Sequence, residues 1–388
     1  MNKLSICDTW LIVLSGGSGS RLHPLTDNLS KSIVPFINHY PVTELVLYGL
    51  VKELGLKNVI FSAKGFVNYR DLKSFYGGGS GWSAKLGLET PVSFEYQDPN
   101  FEDNGSADGV LYNLNRFRIN SPVLVIANDG LFSMKDIRLF CEFAINSPYS
   151  LSIGLTHVDN PSLYGIADFN SETSQIRSFI EKPKPGEETS CLANGAIYFI
   201  KPDVFIDLEG DFAKNTIPKL TKQDKVGGYV LKERWLDTGT LKTFLDSFLA
   251  IIDAPFDYIE NFLNQISIKG NKKRIWIRGT GRYSEPIAQE LKERIERGDV
   301  VVTGRVIIGK DCVIGDNVHL SNCSIGDSST IGDDCVISKS NIMDAVSVGP
   351  RSLIKYSIIG RGASIEKDSK LSRVCVGHGN KSSDFVPI

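Results

Sequence analysis

Three regimes of hydrophobic and polar spacing run along this chain. In the first, short apolar runs alternate with longer segments of helical period. Leu11 to Leu14 is an unbroken aliphatic run, as expected of a strand covered on both faces. KNVIFSA (57–63), Val92 to Tyr96 and Pro122 to Ala127 read as further strands. Between them, Pro41 to Gly55 places Val42, Leu45, Val46, Leu50 and Leu54 at near-helical steps, and Phe75 to Gly87 reads as a glycine-rich loop. Strands alternating with amphipathic helices predict a layered α/β domain over 1–253. A last helix, Thr240 to Ile252, has Leu241, Phe244, Leu245, Phe248 and Leu249 on one face and should close that domain.

The second regime, 254–300, carries little signal. It reads as a helical connector with a charged helix at Glu285 to Arg297, and with the basic run Lys272, Lys273, Arg274 as solvated surface. The third regime is a repeat. Aliphatic residues recur at Ile308, Ile314, Leu320, Ile325, Ile331, Ile337, Ile342, Val348, Ile354, Ile359, Ile365, Leu371 and Val376, in steps of six, six and five. Ile308, Ile325, Ile342, Ile359 and Val376 are therefore 17 apart, and small residues (Cys312, Cys335, Ser352, Ala363) stand four beyond a column position. One inward aliphatic per short strand and three strands per turn predict a triangular parallel β-helix over 301–380, followed by a tail at 381–388.

Composition narrows the class. A chain of 388 residues holds two or three domains, and a formal charge of −2 offers no general field for nucleic acid or an acidic membrane. Seven cysteines without a CxxC pair suggest buried free thiols in a reducing compartment. The N-terminal apolar run is interrupted by Asp8, and no stretch approaches the length of a membrane span. A cytoplasmic protein is expected.

The chemistry is concentrated where the first strand ends. Leu14 runs into Ser15, Gly16, Gly17, Ser18, Gly19, Ser20 and Arg21, a strand feeding a glycine-rich turn. Such a backbone can curl its N–H groups toward one anion, with Arg21 and Lys31 supplying fixed positive charge. A Walker loop would need Gly-Lys-Ser/Thr here, and a dinucleotide fingerprint a glycine at the position of Leu22; neither fits. Two aspartates stand further on, Asp129 after the strand Pro122 to Ala127 and Asp237 in RWLDTGT. A carboxylate at a strand's carboxyl end lies where open α/β sheets bind ligands.

The turn resembles the signature of the sugar-1-phosphate nucleotidyltransferases, roughly GGxGxRLxPLTxxxxKxxxP. Gly16, Gly17, Gly19, Arg21, Leu22, Pro24, Leu25, Thr26, Lys31 and Pro35 all fall on it, with Ser30 and Ser32 departing where the family has proline or alanine. The resemblance implies a Rossmann-like mixed-sheet nucleotidyltransferase domain followed by a left-handed β-helix. It also implies an enzyme that joins a nucleoside triphosphate to a hexose 1-phosphate with Mg²⁺. By the same resemblance, Asp129 and Asp237 bind the metal, and Arg21 and Lys31 hold the triphosphate together with Leu14, Gly16, Gly17, Ser18 and Gly19. Lys182 of IEKP steers the sugar phosphate, while Gly165, Glu181, Asn194 and Trp235 surround the sugar. GSADG (105–109) matches the segment carrying Gly105, Ser106 and Asp108, whose helix start suits a base edge or sugar hydroxyls.

The cues for base and sugar conflict. WLDTGT and GSGW lean to thymidylyl enzymes, GSAD to adenylyl enzymes, and LANGAIY with the β-helix to guanylyl enzymes. The β-helix is expected to serve assembly into a homo-oligomer or allosteric contact. Two alternatives stand beside this reading: a catalytically silent regulatory paralogue, and a bifunctional enzyme whose β-helix transfers acyl groups. The only candidate bases for the latter are His319 and His378, both read as surface histidines.

Overall fold

The structure, a computed structural model, describes residues 6–89, 91–102, 104–269, 275–279 and 284–388. The basic run Lys272 to Arg274 lies outside the described residues. The chain divides into two compact units that interleave in sequence: one holds residues up to Gly17 and Val46–Leu236, the other Ser18–Leu45 and Asp237–Ile388.

The first unit is built on a nine-stranded sheet. Its strands are β1 (Trp10–Leu14), β2 (Asn58–Ser62), β3 (Ser93–Tyr96), β4 (Val123–Ala127), β5 (Leu151–His157), β6 (Gly165–Asn170), β7 (Gln175–Glu181), β8 (Leu192–Ile200) and β9 (Val226–Val230). They lie in the order β3-β2-β1-β4-β8-β5-β9-β7-β6. β3, β2, β1 and β4 are parallel, and β8 runs antiparallel to β4 and β5, so the sheet is mixed. Leu11, Ile12 and Val13 of β1 are buried on both faces, which explains their unbroken run. Among the helices, α1 (Val42–Leu54) buries the predicted apolar stripe and stops at Gly55, whose left-handed backbone donates to Val51 O at 3.0 Å. The glycine-rich stretch read as a loop contains the end of α2 (Phe66–Tyr76) and a short α3 (Ser80–Lys85) that buries Trp82. Two further helices, α4 (Ser106–Arg116) and α5 (Met134–Asn146), follow β3 and β4.

The second unit is the β-helix with its attached segments. Register confirms the repeat residue by residue: Ile308, Ile325, Ile342, Ile359 and Val376 pair in succession, as do Ile314, Ile331, Val348 and Ile365, and Leu320, Ile337, Ile354 and Leu371. All stand in one buried cluster, each side chain contributing about 1.5–3 kcal/mol by leaving water. The corners carry left-handed residues at the same 17-residue interval: Asn317, Asp334, Arg351, Asp368 in one column and Asn322, Lys339, Tyr356, Arg373 in another. At Gly326 a Cβ would lie 2.4 Å from the Asp344 amide, so only glycine lets successive coils stack there.

The region expected to be a helical connector is only partly so. Two helices, Asp257–Ile266 and Ser284–Arg297, flank a strand, Ile275–Arg278, that already belongs to the β-helix sheet, parallel to Val306–Ile308. The solenoid therefore starts before residue 301. Its tail is structured as well, since Phe385–Pro387 pairs antiparallel with Val374–Val376 and closes the exposed edge. The helix expected at Thr240 to Ile252 spans Leu241–Asp253 and packs within the second unit. Phe244 and Phe248 stack edge-on against Phe36, 5.2 and 6.0 Å between centroids, within the β-helix unit. None of the seven cysteines is in a disulfide; Cys7 and Cys191 are exposed rather than buried as expected.

Segment Ser18–Leu45, which carries most of the signature, lies in this unit. Asn38 Nδ2 donates to Ile325 O at 2.7 Å, and Asn341 Nδ2 donates to Phe36 O at 2.9 Å. Beside them Arg278, 4% exposed, donates from Nη1 to both Asp327 oxygens at 2.6 and 2.7 Å, lies 2.8 Å from His39 Nδ1, and covers the Tyr40 ring. Burial alone would raise the Asp327 carboxyl, but His39, Arg278 and the Lys310 amide hold it down at about 2. Asp327→Asn leaves this guanidinium buried without its counter-charge and should cost about 3–5 kcal/mol in urea unfolding. Because the folded value is depressed, the stabilisation is complete above the usual carboxylate value of 3.8. A pH series of melting temperatures should show it disappearing as pH falls from there toward 2 in the wild type, and absent in the variant.

Candidate active site

The parallel register Leu14↔Ala127 brings the carboxyl ends of β1 and β4 side by side. The turn Ser15–Gly17 and Asp129 thus share one edge of the sheet, the position predicted for a ligand. Ser15 N donates to Ser62 O at 2.8 Å, which fixes where the turn begins, while Gly16 and Gly17 are exposed. Asp129 is half-buried, three residues past Ile126.

The residues expected around a sugar gather in the first unit. Glu181, at the end of β7, pairs with Gly165 of β6, and a Cβ on Gly165 would sit 2.7 Å from Glu181 Oε2 and 2.3 Å from the Phe179 ring. β8 joins them through Ala193↔Ile166. Between Asn194 and Tyr198 the register with β5 slips, and Ala196 takes a left-handed φ of 54°. This bulge turns Asn194 back on itself: Oδ1 accepts from Ala196 N at 2.9 Å and Nδ2 donates to Tyr198 OH at 2.8 Å. Trp235 closes the group. Its ring meets Tyr164 edge-on at 5.9 Å, and its buried Nε1 donor has no partner, standing 3.2 and 3.7 Å from where Gly130 and Gly195 would carry Cβ atoms. Asp136, buried on α5, accepts from Glu233 N at 2.7 Å and so anchors the segment leading to this tryptophan.

Electrostatics distinguish these groups. Burial pushes the Glu181 carboxyl up, with Lys182 opposing and Asp211 adding to the rise. Lys182 itself is exposed, in a left-handed backbone conformation fixed by its amide donating to Tyr164 O at 3.0 Å, with Nζ 4.0 Å from Glu181 Oε1. The Tyr198 phenol is driven strongly upward by burial, against the hydrogen bond from Asn194, so it stays neutral.

The helix start at GSADG is occupied by the chain itself. The Ala107 and Asp108 amides donate to Gly210 O at 2.8 and 3.1 Å, Ser106 Oγ donates to Asp211 Oδ2 at 3.0 Å, and Asp108 Oδ1 accepts from Gly210 N at 2.6 Å. A Cβ on Gly105 would lie 2.5 Å from Asp211 N, so this glycine is needed for the close approach of that loop. Sequence reading passed over Tyr198 and Asp211, which connect Asn194 and Ser106 to the Glu181 neighbourhood. The available sign for Asp211 was its place before FAKNT, where it caps Ala213 and Lys214.

Arg21, Lys31 and Asp237 lie in the second unit. Gly19 has φ 70°, and a Cβ there would strike Thr26 Cγ2 at 2.9 Å and Lys31 Cβ at 3.3 Å, while Thr26 Oγ1 donates to Gly19 O at 2.8 Å. Lys31 stands in a short turn flanked by Ser30 and Ser32, both buried where the related signature has proline or alanine. Asp237 is held by Ser247 Oγ donating to its carbonyl at 2.7 Å and by Gly239 N donating to Oδ1 at 3.0 Å. A Cβ on Gly239 would crowd the two Asp237 carboxylate oxygens at 3.0 and 3.3 Å and lie 3.5 Å from Arg21 Nη2, so the carboxylate can fold back over this turn only because the residue is glycine. Among the described residues no three His, Cys, Asp or Glu side chains gather to form a closed metal cage. One or two carboxylates are the usual protein share of a Mg²⁺ site, the ion keeping waters and phosphate oxygens as its other ligands.

Comparison with known proteins agrees with this architecture. The pattern of the family described as Nucleotidyl transferase matches residues 11–254, and that of the EIF2B subunit epsilon LbH domain, a left-handed β-helix, matches 291–380. The chain belongs to the Nucleotidyl transferase family and carries a left-handed β-helix behind its catalytic part. It is 27% identical over 330 residues to glucose-1-phosphate adenylyltransferase of Geobacillus stearothermophilus, covering 78% of this chain and 82% of that one. It is 25% identical over 327 residues to "Probable mannose-1-phosphate guanylyltransferase 3" of Oryza sativa subsp. japonica, covering 81% and 80%. A crystal structure from Bacillus anthracis, assigned as a glucose-1-phosphate thymidylyltransferase and in complex with a sucrose, superposes with a TM-score of 0.51 at 25% identity, covering 63% of this chain and 94% of that one.

Gly165→Ala tests the packing around Glu181. The added methyl must displace Phe179 or Glu181, and thermal melting should show a loss of about 1–3 kcal/mol.

Proposed function

We propose that the protein condenses a nucleoside triphosphate with a hexose 1-phosphate, giving a nucleotide sugar and pyrophosphate. The observation that carries this reading is the parallel register Leu14↔Ala127, which puts the glycine-rich turn and Asp129 at one carboxyl edge of the sheet, where such sheets bind ligands. No protein nucleophile is required. A sugar-phosphate oxygen forms the new bond to the α-phosphorus as the bond from that phosphorus to the β-phosphate oxygen breaks. Both reactants are anions, so the protein's contribution is positioning and charge neutralisation.

On this reading Arg21 and Lys31 hold the triphosphate over the turn formed by Leu14, Gly16, Gly17, Ser18 and Gly19. Lys182 neutralises the sugar phosphate. Glu181 and Asn194 accept from and donate to sugar hydroxyls, and the unpartnered indole N–H of Trp235 donates to another. Gly105, Ser106 and Asp108 act on the nucleotide side through the loop they fix. Asp129 and Asp237 would hold Mg²⁺, which when bound offsets the charge on the phosphate oxygens. Self-association through the β-helix, where Val313 and Phe385 stand exposed, and a reducing cytoplasmic setting for cysteines without disulfides complete the proposal. No described helix is long and apolar enough to cross a membrane.

A grid of nucleoside triphosphates against hexose 1-phosphates, scored by pyrophosphate release, should single out one pair; silence across the whole grid would refute the reading. With the productive pair, Asp129→Asn should lower turnover about a hundredfold with the melting temperature preserved. Trp235→Phe, which removes only the N–H, should raise the KM for the sugar phosphate about fivefold and leave that for the triphosphate unchanged.

A further inference from the structure

One corner of the β-helix carries a polar ladder that the repeat alone does not require. Lys310, Asp327, Asp344, Arg361 and His378 stand 17 residues apart on successive coils. The Lys310 amide donates to Asp327 Oδ1 at 2.9 Å, the Asp327 amide to Asp344 Oδ1 at 2.9 Å, and the Arg361 amide to His378 Nδ1 at 2.8 Å. At the last rung the ladder leaves the solenoid: His378 Nε2 lies 2.9 Å from Leu25 O. Since Nδ1 accepts an N–H, the proton must be on Nε2, and the ring donates to that carbonyl.

Leu25 is not an arbitrary partner. Its amide donates to Leu22 O at 2.9 Å, and the Leu22 amide donates to Gly19 O at 2.8 Å, the same carbonyl that accepts from Thr26 Oγ1 at 2.8 Å. Arg21 lies inside this chain of bonds. Gly377 supplies the fit, because a Cβ there would come within 3.0 Å of Pro24. We propose that His378 is a positioning residue for nucleotidyl transfer: its neutral ring clamps the turn that carries Arg21 onto the last coil of the β-helix. The histidine thus has a function that is neither surface decoration nor acyl-transfer base, as both ring nitrogens are engaged.

Protonation would place a second N–H against the Arg361 amide and break the rung. The charged groups facing the ring are Arg361 on the neighbouring coil and Asp27 in the clamped turn; burial and Arg361 hold the imidazole below its usual 6.5, while the Leu25 carbonyl and Asp27 oppose them. A His with a depressed value favours the clamped state above 6.5 and releases it as pH falls through the lower folded value.

The inference rests on the nucleotidyl-transfer reading, and its test has two arms on the full-length protein. In the first, amide hydrogen exchange is followed in the peptide spanning Gly19 to Lys31 for wild type, His378→Gln, His378→Asn and His378→Phe. Gln can reach Leu25 O with an N–H but cannot titrate; Asn and Phe cannot supply that bond. Loss of one hydrogen bond should speed exchange about fivefold in the Asn and Phe variants, with Gln close to wild type. In the second arm, the KM for the triphosphate should rise by a similar factor in the same two variants, that for the sugar phosphate should hold, and the acid-side fall in kcat/KM attributable to His378 should vanish in the Gln variant. Equal exchange in all four proteins would overturn the clamp. Faster exchange with an unchanged triphosphate KM would overturn its role in positioning. A wild type inert toward every triphosphate would instead sink the nucleotidyl-transfer reading, leaving the clamp to be judged on exchange alone.

Discussion

A buried guanidinium needs its counter-charge in a fixed place, and in this protein that place is set by the repeat. Arg278 has almost no contact with water, so its two bonds to Asp327 are a structural requirement, and Asp327 can stand only where a 17-residue coil puts it. Around that pair the return of the signature segment is fixed in register: Asn38 against Ile325, His39 beside Asp327, Phe36 under Asn341. The solenoid is therefore more than an appended module. It is the surface on which Arg21 and Lys31 are set, and that surface is rigid because each coil is bonded to the next through its backbone.

The sheet places its own polar groups by topology rather than by any single motif. Parallel strands β1 and β4 end at the same level, and a loop after each supplies a turn and a carboxylate. Close approaches then decide the finer geometry. Gly165 lets Glu181 and Phe179 fold over it, Gly130 and Gly195 leave the Trp235 N–H without a covering side chain, and the bulge at Ala196 aims Asn194 back toward Tyr198. In each case a missing Cβ or an extra residue makes room for polar atoms that a regular strand would point elsewhere.

Much of this was legible in the linear chain. The buried strand Leu11–Leu14, the α1 stripe and the steps of six, six and five are periodic signals, and periodicity is the trace that burial leaves directly in a sequence. The glycine-rich turn with its arginine and lysine was visible for a related reason, since local backbone geometry selects residue types within a few positions of one another.

What the linear chain could not show were relations between residues far apart. Nothing local marks residues 18–45 as partners of the β-helix, because Asn38 meets Ile325 and Leu25 meets His378 across some three hundred residues with no periodic trace. The short strand Ile275–Arg278 was hidden inside an uninformative connector, since its place in the solenoid depends on pairing with Val306–Ile308. The helix start at Gly105 looked open until the loop at Gly210 and Asp211 was seen to fill it. Sequence by itself determined the first buried strands, the α1 stripe and the coils of the solenoid, because burial on one face imposes a spacing. Only the tertiary structure decided which charges and amides meet, because a hydrogen bond between distant residues constrains their positions in space and leaves no period behind.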